Sequence, residues 1–339
     1  MRRREFITGL VATAGWPLGV GAQQAPLRAG FLPLGSPSNA YDRSLVDLFR
    51  QGLRDVGVVE DRDIVLDIVW IGDEADTSRA VTELMERGAG LLIPCGAGAS
   101  VAAKRQVSTV PILFIDVFNP IGLGLIESFS RPGGNVTGLS DMHPDLTGKY
   151  VQFARDLNKS QAPVDYLWFA QSVNGQYRLR VTEDAARSLR VDLRSWVIGD
   201  DSEVDDALAE MKESGATTVI VQSNPFTFRR RAALIDSAMK HRIAMIYAFP
   251  PAATDGAVVA YGPDYGALYR RAASYVKQIL GGRKPADLPV EQPTRFELVI
   301  NLKTARALGI TIPATLINLA DRVIQYRGCH ALRALPNRP

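Results

Sequence analysis

Short apolar runs alternate with longer amphipathic segments along most of this 339-residue chain. Apolar runs such as IVLDIVWI at 64–71 are typical of strands buried on both faces, and apolar side chains at helical spacing are typical of amphipathic helices. Strands that alternate with helices predict parallel sheets covered by helices on both faces. One such set closes near residue 140 and a second follows it, so the sequence predicts an α/β fold with two doubly wound parallel-sheet lobes.

The predicted strands fall into two successive groups. The first group covers 27–34, 64–71, 90–95, 111–116 and 135–140. The second group covers 164–170, 190–199, 217–222, 242–249, 257–262 and 295–301. Helices are predicted at 40–57, 77–88, 99–107, 145–157, 175–189, 202–214, from 225 onward, at 265–281 and at 302–309. A chain of this length is long for one core and natural for two domains.

The first 22 residues have a composition unlike the rest of the chain. Arg2, Arg3 and Arg4 precede an uncharged run that extends from Phe6 to Ala22. Glycine and proline interrupt this run, and it is shorter than the ~20 apolar residues that a spanning helix needs. We interpret residues 1–22 as a twin-arginine-type export signal removed near Ala22, and we expect the mature protein in the periplasm. The basic tail at 327–339 is expected to be flexible.

Charge and composition exclude several classes of partner. The net charge is +3, and the predicted signal contributes +2 of it through three arginines and one glutamate. No basic excess remains to attract nucleic acid. The two cysteines, Cys95 and Cys329, and the three histidines, His143, His241 and His330, lie too far apart in sequence to form a metal-binding motif. We therefore expect no metal and no cofactor.

Ligands of open parallel sheets bind outside the carboxyl ends of the strands. The residues that follow the predicted strands are mostly small, amide or aromatic, and few of them are ionisable. A nucleophile beside a base, a phosphate-binding loop and paired carboxylates within one loop are all missing from these segments. We call these residues after the strands the rim. A rim of this composition predicts reversible binding rather than catalysis. The candidate ligand-binding residues after the strands are Ser36, Gly96, Ala97, Gly98, Asn119, Asn174, Asn224 and Phe249.

Most of these candidates have an alternative structural role. Gly96 and its neighbours serve either tight strand–helix packing or the presentation of backbone N–H groups at a helix start. Asn174 and Asn224 are also good helix N-caps, and Phe249 is also a natural core residue. Asp116 ends a strand, where capping of the next turn is a sufficient role.

The sequence resembles the ABC-transporter substrate-binding proteins linked with tryptophan and tyrosine uptake. The resemblance rests on FRQGLRDVGVVE at 49–60, RPGGNVTG at 131–138 and QPTRFELVINLKTARALG at 292–309, and it extends almost from end to end of the chain. It implies a type I periplasmic binding fold, in which two lobes joined by three chain crossings close on a solute. It places the crossings near Leu139–Met142, Phe249–Thr254 and Gly281–Pro285. The implied lobes are 27–140 plus 252–282, and 141–251 plus 283–326.

The resemblance also implies which loops hold the ligand. They match Ser36, Gly96–Ala99, Asn119, Ser140, Asp141, Asn174 and Asn224. Asp141 is the preferred partner for a ligand ammonium, because the chain is expected to cross between the lobes there. Asn119 and Asn224 stand where the family often has an acid, and AFPPAAT at 248–254 lacks one. The sequence is therefore as consistent with a neutral or anionic solute as with an amino acid.

The function that follows is an extracytoplasmic solute receptor of an ABC importer, and not an enzyme. Its expected partners are a small organic solute, amino-acid-like or aromatic, and an ABC permease with its ATPase. We expect a monomer that binds no nucleic acid. One alternative is a sensor that reports the ligand to a signalling partner. A second is an exported α/β hydrolase, which requires His143 or His241 beside a serine in the cleft.

Overall fold

The chain folds into two α/β lobes, each built on its own sheet. The computed structural model describes residues 25–141, 146–158 and 162–325. The first sheet has five parallel strands in the order β2-β1-β3-β4-β5. They are β1 (Leu27–Leu32), β2 (Ile64–Ile68), β3 (Leu91–Pro94), β4 (Ile112–Val117) and β5 (Val136–Ser140). The helices that follow β1, β2 and β3 are α1 (Ala40–Asp55), α2 (Thr77–Glu86) and α3 (Ala97–Gln106).

The second sheet has seven strands in the order β12-β11-β10-β9-β8-β6-β7. They are β6 (Val164–Phe169), β7 (Leu193–Ile198), β8 (Thr218–Val221), β9 (Ala244–Tyr247), β10 (Val259–Pro263), β11 (Phe296–Asn301) and β12 (Arg322–Ile324). All neighbours are parallel except β10 and β11, which are antiparallel. The remaining helices are α4 (Thr147–Leu157), α5 (Gly175–Ser188), α6 (Glu203–Glu213), α7 (Pro225–Arg229), α8 (Arg231–Lys240), α9 (Ala252–Asp255), α10 (Tyr265–Leu280), α11 (Leu302–Ala307) and α12 (Ala314–Leu319).

The predicted fold class is confirmed, and the strand pairing shows where the chain changes sheets. The first crossing follows β5 and leads to α4, which packs on β8 and β9. The second lies at Asp264, between β10 of the second sheet and α10, which packs on α1, β4 and β5. The third lies at 292–295, because Glu291 still pairs with β5: the N–H of Ser140 donates to its carbonyl at 2.9 Å.

Two of the predicted crossings were therefore wrong. The segment Phe249–Thr254 stays in the second lobe, because β10 follows it and pairs with β9. Within the predicted first-lobe segment 252–282, only α10 packs on the first sheet. The segment Gly281–Pro285 is not a crossing either, because residues 288–291 run beside β5 before the chain leaves. The predicted signal at 1–22 and the tail at 327–339 lie outside the described residues. Within the described ranges, no helix combines the length and apolar character needed to cross a membrane.

The first lobe depends on a close approach of α1 and α10. Asn39 caps α1, because its side-chain oxygen accepts from the N–H of Tyr41 at 2.9 Å. One face of α1 is buried, with Phe49 and Leu53 almost fully enclosed. A Cβ on Gly52 would lie 2.3 Å from the carbonyl oxygen of Arg270 in α10. The two helices therefore need glycine at this contact.

Replacing Gly52 by alanine should destabilise the protein by about 1–3 kcal/mol, because the added methyl overlaps the α10 backbone and forces the helices apart. The matched control is Gly148→Ala in α4, where the nearest atom to the new Cβ is 3.9 Å away. That change should be neutral or stabilising by about 0.5–1 kcal/mol. Thermal and urea unfolding of both variants measure the difference, and equal stability of the two would contradict the packing described here.

Candidate functional site

A cleft lies between the lobes, at the carboxyl ends of strands from both sheets, and it encloses about 470 Å³ when the space open to solvent is included. The first lobe contributes Leu34, Gly96, Ala97, Asp116, Phe118 and Tyr265. The second lobe contributes Ser172, Asn174, Arg178, Ser223, Asn224, Pro225 and Phe228. Asp141 lines the cleft from the first crossing. A molecule in the cleft would therefore touch both lobes and the connection between them.

One wall of the cleft is the start of α3. Gly96 precedes this helix with φ of +78°, a conformation that glycine adopts without strain. No side chain caps α3, and no acid lies in its first turn. The first N–H groups of a helix have no acceptor within the helix, and the helix dipole favours negative charge there. This wall suits an anionic group such as a carboxylate.

The cleft also contains a cluster of three charged side chains: Asp116, Asp141 and Arg178. A guanidinium nitrogen of Arg178 lies 3.2 Å from a carboxylate oxygen of Asp141, and both side chains are almost buried. Burial and the adjacent Asp141 raise the pKa of Asp116 well above its usual range. The prediction that the rim is poor in ionisable groups was therefore wrong.

Aromatic side chains surround this cluster. The guanidinium carbon of Arg178 lies 3.8 Å from the centre of the Phe118 ring. Phe228 and Tyr265 line the cleft, and Phe249 lies behind them with its ring centre 4.6 Å from that of Phe228. Phe249 is only 1% exposed, so it supports the aromatic wall from within the core.

Several contacts join the lobes around the cleft. The side-chain amide of Asn174 donates to the carbonyl oxygen of Phe118 at 2.9 Å. A guanidinium nitrogen of Arg229 lies 2.5 Å from a carboxylate oxygen of Asp73 in the first lobe. These contacts connect the two lobes directly.

A buried arginine also faces the first lobe. Arg231 is 4% exposed and binds Asp255 of its own lobe at 2.8 Å. A second nitrogen of its guanidinium lies 3.7 Å from a carboxylate oxygen of Asp42 in α1. Burial is the largest cause that raises the pKa of Asp42, while the Ser36 N–H and Arg231 oppose it.

The cleft brings together half of the predicted site residues. Gly96, Ala97, Asp141, Asn174 and Asn224 line it. Asn224 also caps α7, because its side-chain oxygen accepts from the N–H of Thr227 at 2.9 Å. Asn174 begins α5 without capping it. For all five, ligand contact stays a prediction.

The other predicted residues lie outside the lining. The hydroxyl of Ser36 is hydrogen-bonded to that of Ser38, and Asn119 accepts from the N–H of Gly122 in a turn. Ser140 is buried and donates to the carbonyl of Val117 at 2.8 Å. Gly98 is buried within α3. For these residues and for Phe249, contact with a ligand also stays a prediction.

Comparison with known proteins places the chain in a family. A sequence profile described as ABC transporter substrate binding protein matches residues 40–324, most of the chain. The chain belongs to this family of substrate-binding proteins. A tyrosine-binding protein of Clostridioides difficile is 23% identical over 269 residues, which cover 77% of this chain and 75% of that protein.

Two solved structures share the fold of this substrate-binding protein. One is an ABC domain in complex with L-Trp from Streptococcus pneumoniae, with a TM-score of 0.80 and 22% identity. The other is a conserved domain protein from Vibrio cholerae, with a TM-score of 0.79 and 23% identity. Each comparison covers 88% of this chain and 100% of the other. The resemblance recognised from the sequence is confirmed.

Family membership sets the general role of the chain. Proteins of this family bind a small molecule for an ABC transporter outside the cytoplasm, and they are not enzymes. The hydrolase alternative required a histidine beside a cleft serine. His241 instead lies at the end of α8 with its ring nitrogen 2.9 Å from Asp205 of α6. His143 lies outside the described residues.

Replacing Arg229 by glutamine should weaken the closed arrangement of this substrate-binding protein, because the Asp73 ion pair joins the two lobes. The pair is partly exposed, so the expected cost is about 0.2–1 kcal/mol, or up to about a fivefold loss of solute affinity. Without solute, small-angle scattering should give the Arg229 variant a larger mean radius of gyration than the wild type.

The matched control is Arg187→Gln, which removes a 3.0 Å ion pair with Asp184 inside α5 of the second lobe alone. It should change neither the radius nor the affinity. Identical scattering from the Arg229 variant and the wild type would show that the Asp73 contact does not hold the lobes.

Proposed function

We propose that this substrate-binding protein captures an aromatic amino acid and delivers it to an ABC permease with its ATPase. The proposal rests on one juxtaposition. The uncapped start of α3 and the acids Asp116 and Asp141 lie in the same cleft, among aromatic rings. A zwitterion carries the complementary pair of charges, and an aromatic side chain matches the walls.

The charges of the cleft assign one group of the solute to each wall. The solute carboxylate lies against the N–H groups that open α3, near Gly96 and Ala97. The solute ammonium lies against Asp141 and Asp116, the two acids that line the cleft. These acids favour an amino acid over the neutral or anionic solute that the sequence left open.

The relatives support an aromatic amino acid. One is named as a tyrosine-binding protein, and one similar structure is described in complex with L-Trp. Both share less than a quarter of their residues with this chain, so they support the class of solute rather than its identity. The walls formed by Phe118, Phe228 and Tyr265 agree with that class.

Capture follows from differential affinity. A solute that touches both lobes interacts fully only when they are closed, so binding shifts the population toward the closed state. The permease then recognises the closed form. We propose further that residues 1–22 direct export to the periplasm and that the mature protein acts as a monomer. A sensor for a signalling partner would use the same closure, and the neighbouring genes discriminate the two: a permease and an ATPase indicate transport, and a kinase indicates sensing.

Ligand specificity tests the assignment of charges. L-tryptophan and L-tyrosine should raise the melting temperature of the mature protein, by an amount equivalent to ~2.7 kcal/mol at 100 times the dissociation constant. Tryptamine, which lacks the carboxylate, and indole-3-propionate, which lacks the ammonium, should bind more weakly. Equal binding of indole-3-propionate and L-tryptophan would contradict the role of the acids.

Replacing Asp141 by asparagine should weaken binding of L-tryptophan by ~2–5 kcal/mol, because a buried charge partner is lost. Isothermal titration calorimetry measures this change. The matched control is Asp206→Asn, an exposed acid on α6 of the second lobe, which should leave the affinity unchanged. Unchanged affinity in the Asp141 variant would remove this residue from the site.

A further inference from the structure

Three consecutive arginines at 229–231 lie where α7 ends and α8 begins. The first, Arg229, pairs with Asp73 of the first lobe, and its side chain is 29% exposed. The second pairs with an acid of its own lobe. The third, Arg231, faces Asp42 of the first lobe, and its side chain is only 5% exposed. Water screens a buried pair far less than an exposed one, so this second contact between the lobes has the larger influence on closure.

The carboxylate of Asp42 has one satisfied oxygen and one that lacks a partner. The satisfied oxygen accepts from the N–H of Ser36 at 2.9 Å. The loop before α1 passes so close that a Cβ on Gly35, whose φ is +98°, would lie 2.1 Å from this oxygen. The other oxygen is buried and has no hydrogen-bond partner among the described residues. A buried acceptor without a partner is costly, so a donor that reaches this oxygen stabilises the protein.

Arg231 holds such a donor just out of reach. A terminal guanidinium nitrogen lies 3.7 Å from the unsatisfied oxygen of Asp42, about 1 Å beyond the length of a charge-assisted hydrogen bond. The other nitrogens are engaged within the second lobe. One donates to a carboxylate oxygen of Asp255 at 2.8 Å, and another donates to the carbonyl oxygen of Phe228 at 2.7 Å. These two bonds fix the guanidinium and leave its third nitrogen facing the first lobe.

The same guanidinium is in contact with the aromatic wall of the cleft. Its carbon lies 4.9 Å from the centre of the Phe228 ring and 5.4 Å from that of the Phe249 ring. Cations within about 6 Å of a ring centre are attracted to its face. Phe228 lines the cleft, whereas Arg231 does not. A solute that packs on the Phe228 ring therefore restrains the group that positions Arg231, without touching Arg231 itself.

We propose that Arg231 is a positioning residue that couples the solute to closure of the lobes. Contact of the solute with Phe228 fixes the guanidinium, and the closing lobes then bring it into a direct hydrogen bond with the second oxygen of Asp42. This inference rests on the proposed function, because it requires a solute that packs on the aromatic wall. The bond is complete only in the closed state, so it stabilises that state relative to the open one.

A double-mutant cycle with Asp42→Asn and Arg231→Lys tests the coupling. Asparagine retains an oxygen for the Ser36 N–H but removes the negative charge, and lysine keeps its charge but replaces the planar fork of donors with one point of contact. In calorimetry, each single variant should lose about tenfold or more in affinity for L-tryptophan. The double variant should lose no more than the weaker-binding single variant, because one shared bond is lost only once.

Small-angle scattering of the solute-free proteins provides a readout that needs no ligand. The Asp42 and Arg231 variants should each have a larger mean radius of gyration than the wild type. The matched control is Arg230→Lys, the same change at the adjacent arginine, whose partner Asp201 lies in the same lobe. This control should change neither the radius nor the affinity for L-tryptophan.

The remaining outcomes separate the inference from the proposed function. A lower melting temperature in both single variants, with wild-type affinity and radius, would give Arg231 a purely structural role and overturn the coupling. Losses of affinity that multiply in the double variant would also overturn it. If L-tryptophan and L-tyrosine fail to bind the wild type, the proposed function falls, and the scattering data alone decide whether the pair favours closure. If the Arg231 variant does not fold, wild-type affinity and radius in the Asp42 variant would still overturn the inference.

Discussion

Three crossings of the chain between its two sheets constrain everything else in this protein. They follow β5, β10 and the segment that runs beside β5 to Glu291, and they connect sheets whose strand carboxyl ends line one cleft. Because parallel strands end at the same edge, each lobe presents its loops and helix starts to the other. The binding site is thus the space between the two lobes, and its geometry depends on how far they close.

The charges in the cleft explain why closure should depend on a solute. Arg178 pairs with Asp141 across the cleft, whereas Asp116 forms no ion pair with any residue in the part of the chain that the structure describes. Closing the empty cleft removes these groups from water without adding a counter-ion, which disfavours full closure. A solute ammonium removes that penalty, and the contacts at Asn174 and Arg229 then hold the lobes together. Binding energy is in this way converted into a change of shape that a transporter can recognise.

The sequence predicted the lobes well and the charged cluster poorly, for physical reasons. Strands such as β1 and β4 are continuous apolar runs, and rules based on periodicity recognise them. The short β12 and α12 carry too few residues for a clear pattern. The strand pattern placed β10 in the second group, where it lies, and only the lobe bounds implied by the resemblance put it in the first lobe. Asp116 was interpreted only as a strand-end cap, and its entry into the cleft depends on a bulge within β4 that the apolar pattern does not reveal. Arg178 lies inside α5, outside the loops that follow the strands.

The central claim is that a solute bridges the two lobes and closes them. Spin labels at Val59→Cys in the first lobe and Val197→Cys in the second, both exposed, report the distance between the lobes. Cys95 is buried, and Cys329→Ser restricts labelling to those two positions. Pulsed electron resonance should show a broad distance distribution without solute and a shorter, narrower one with saturating L-tryptophan. An unchanged distribution at saturation would show that the lobes do not close on the solute.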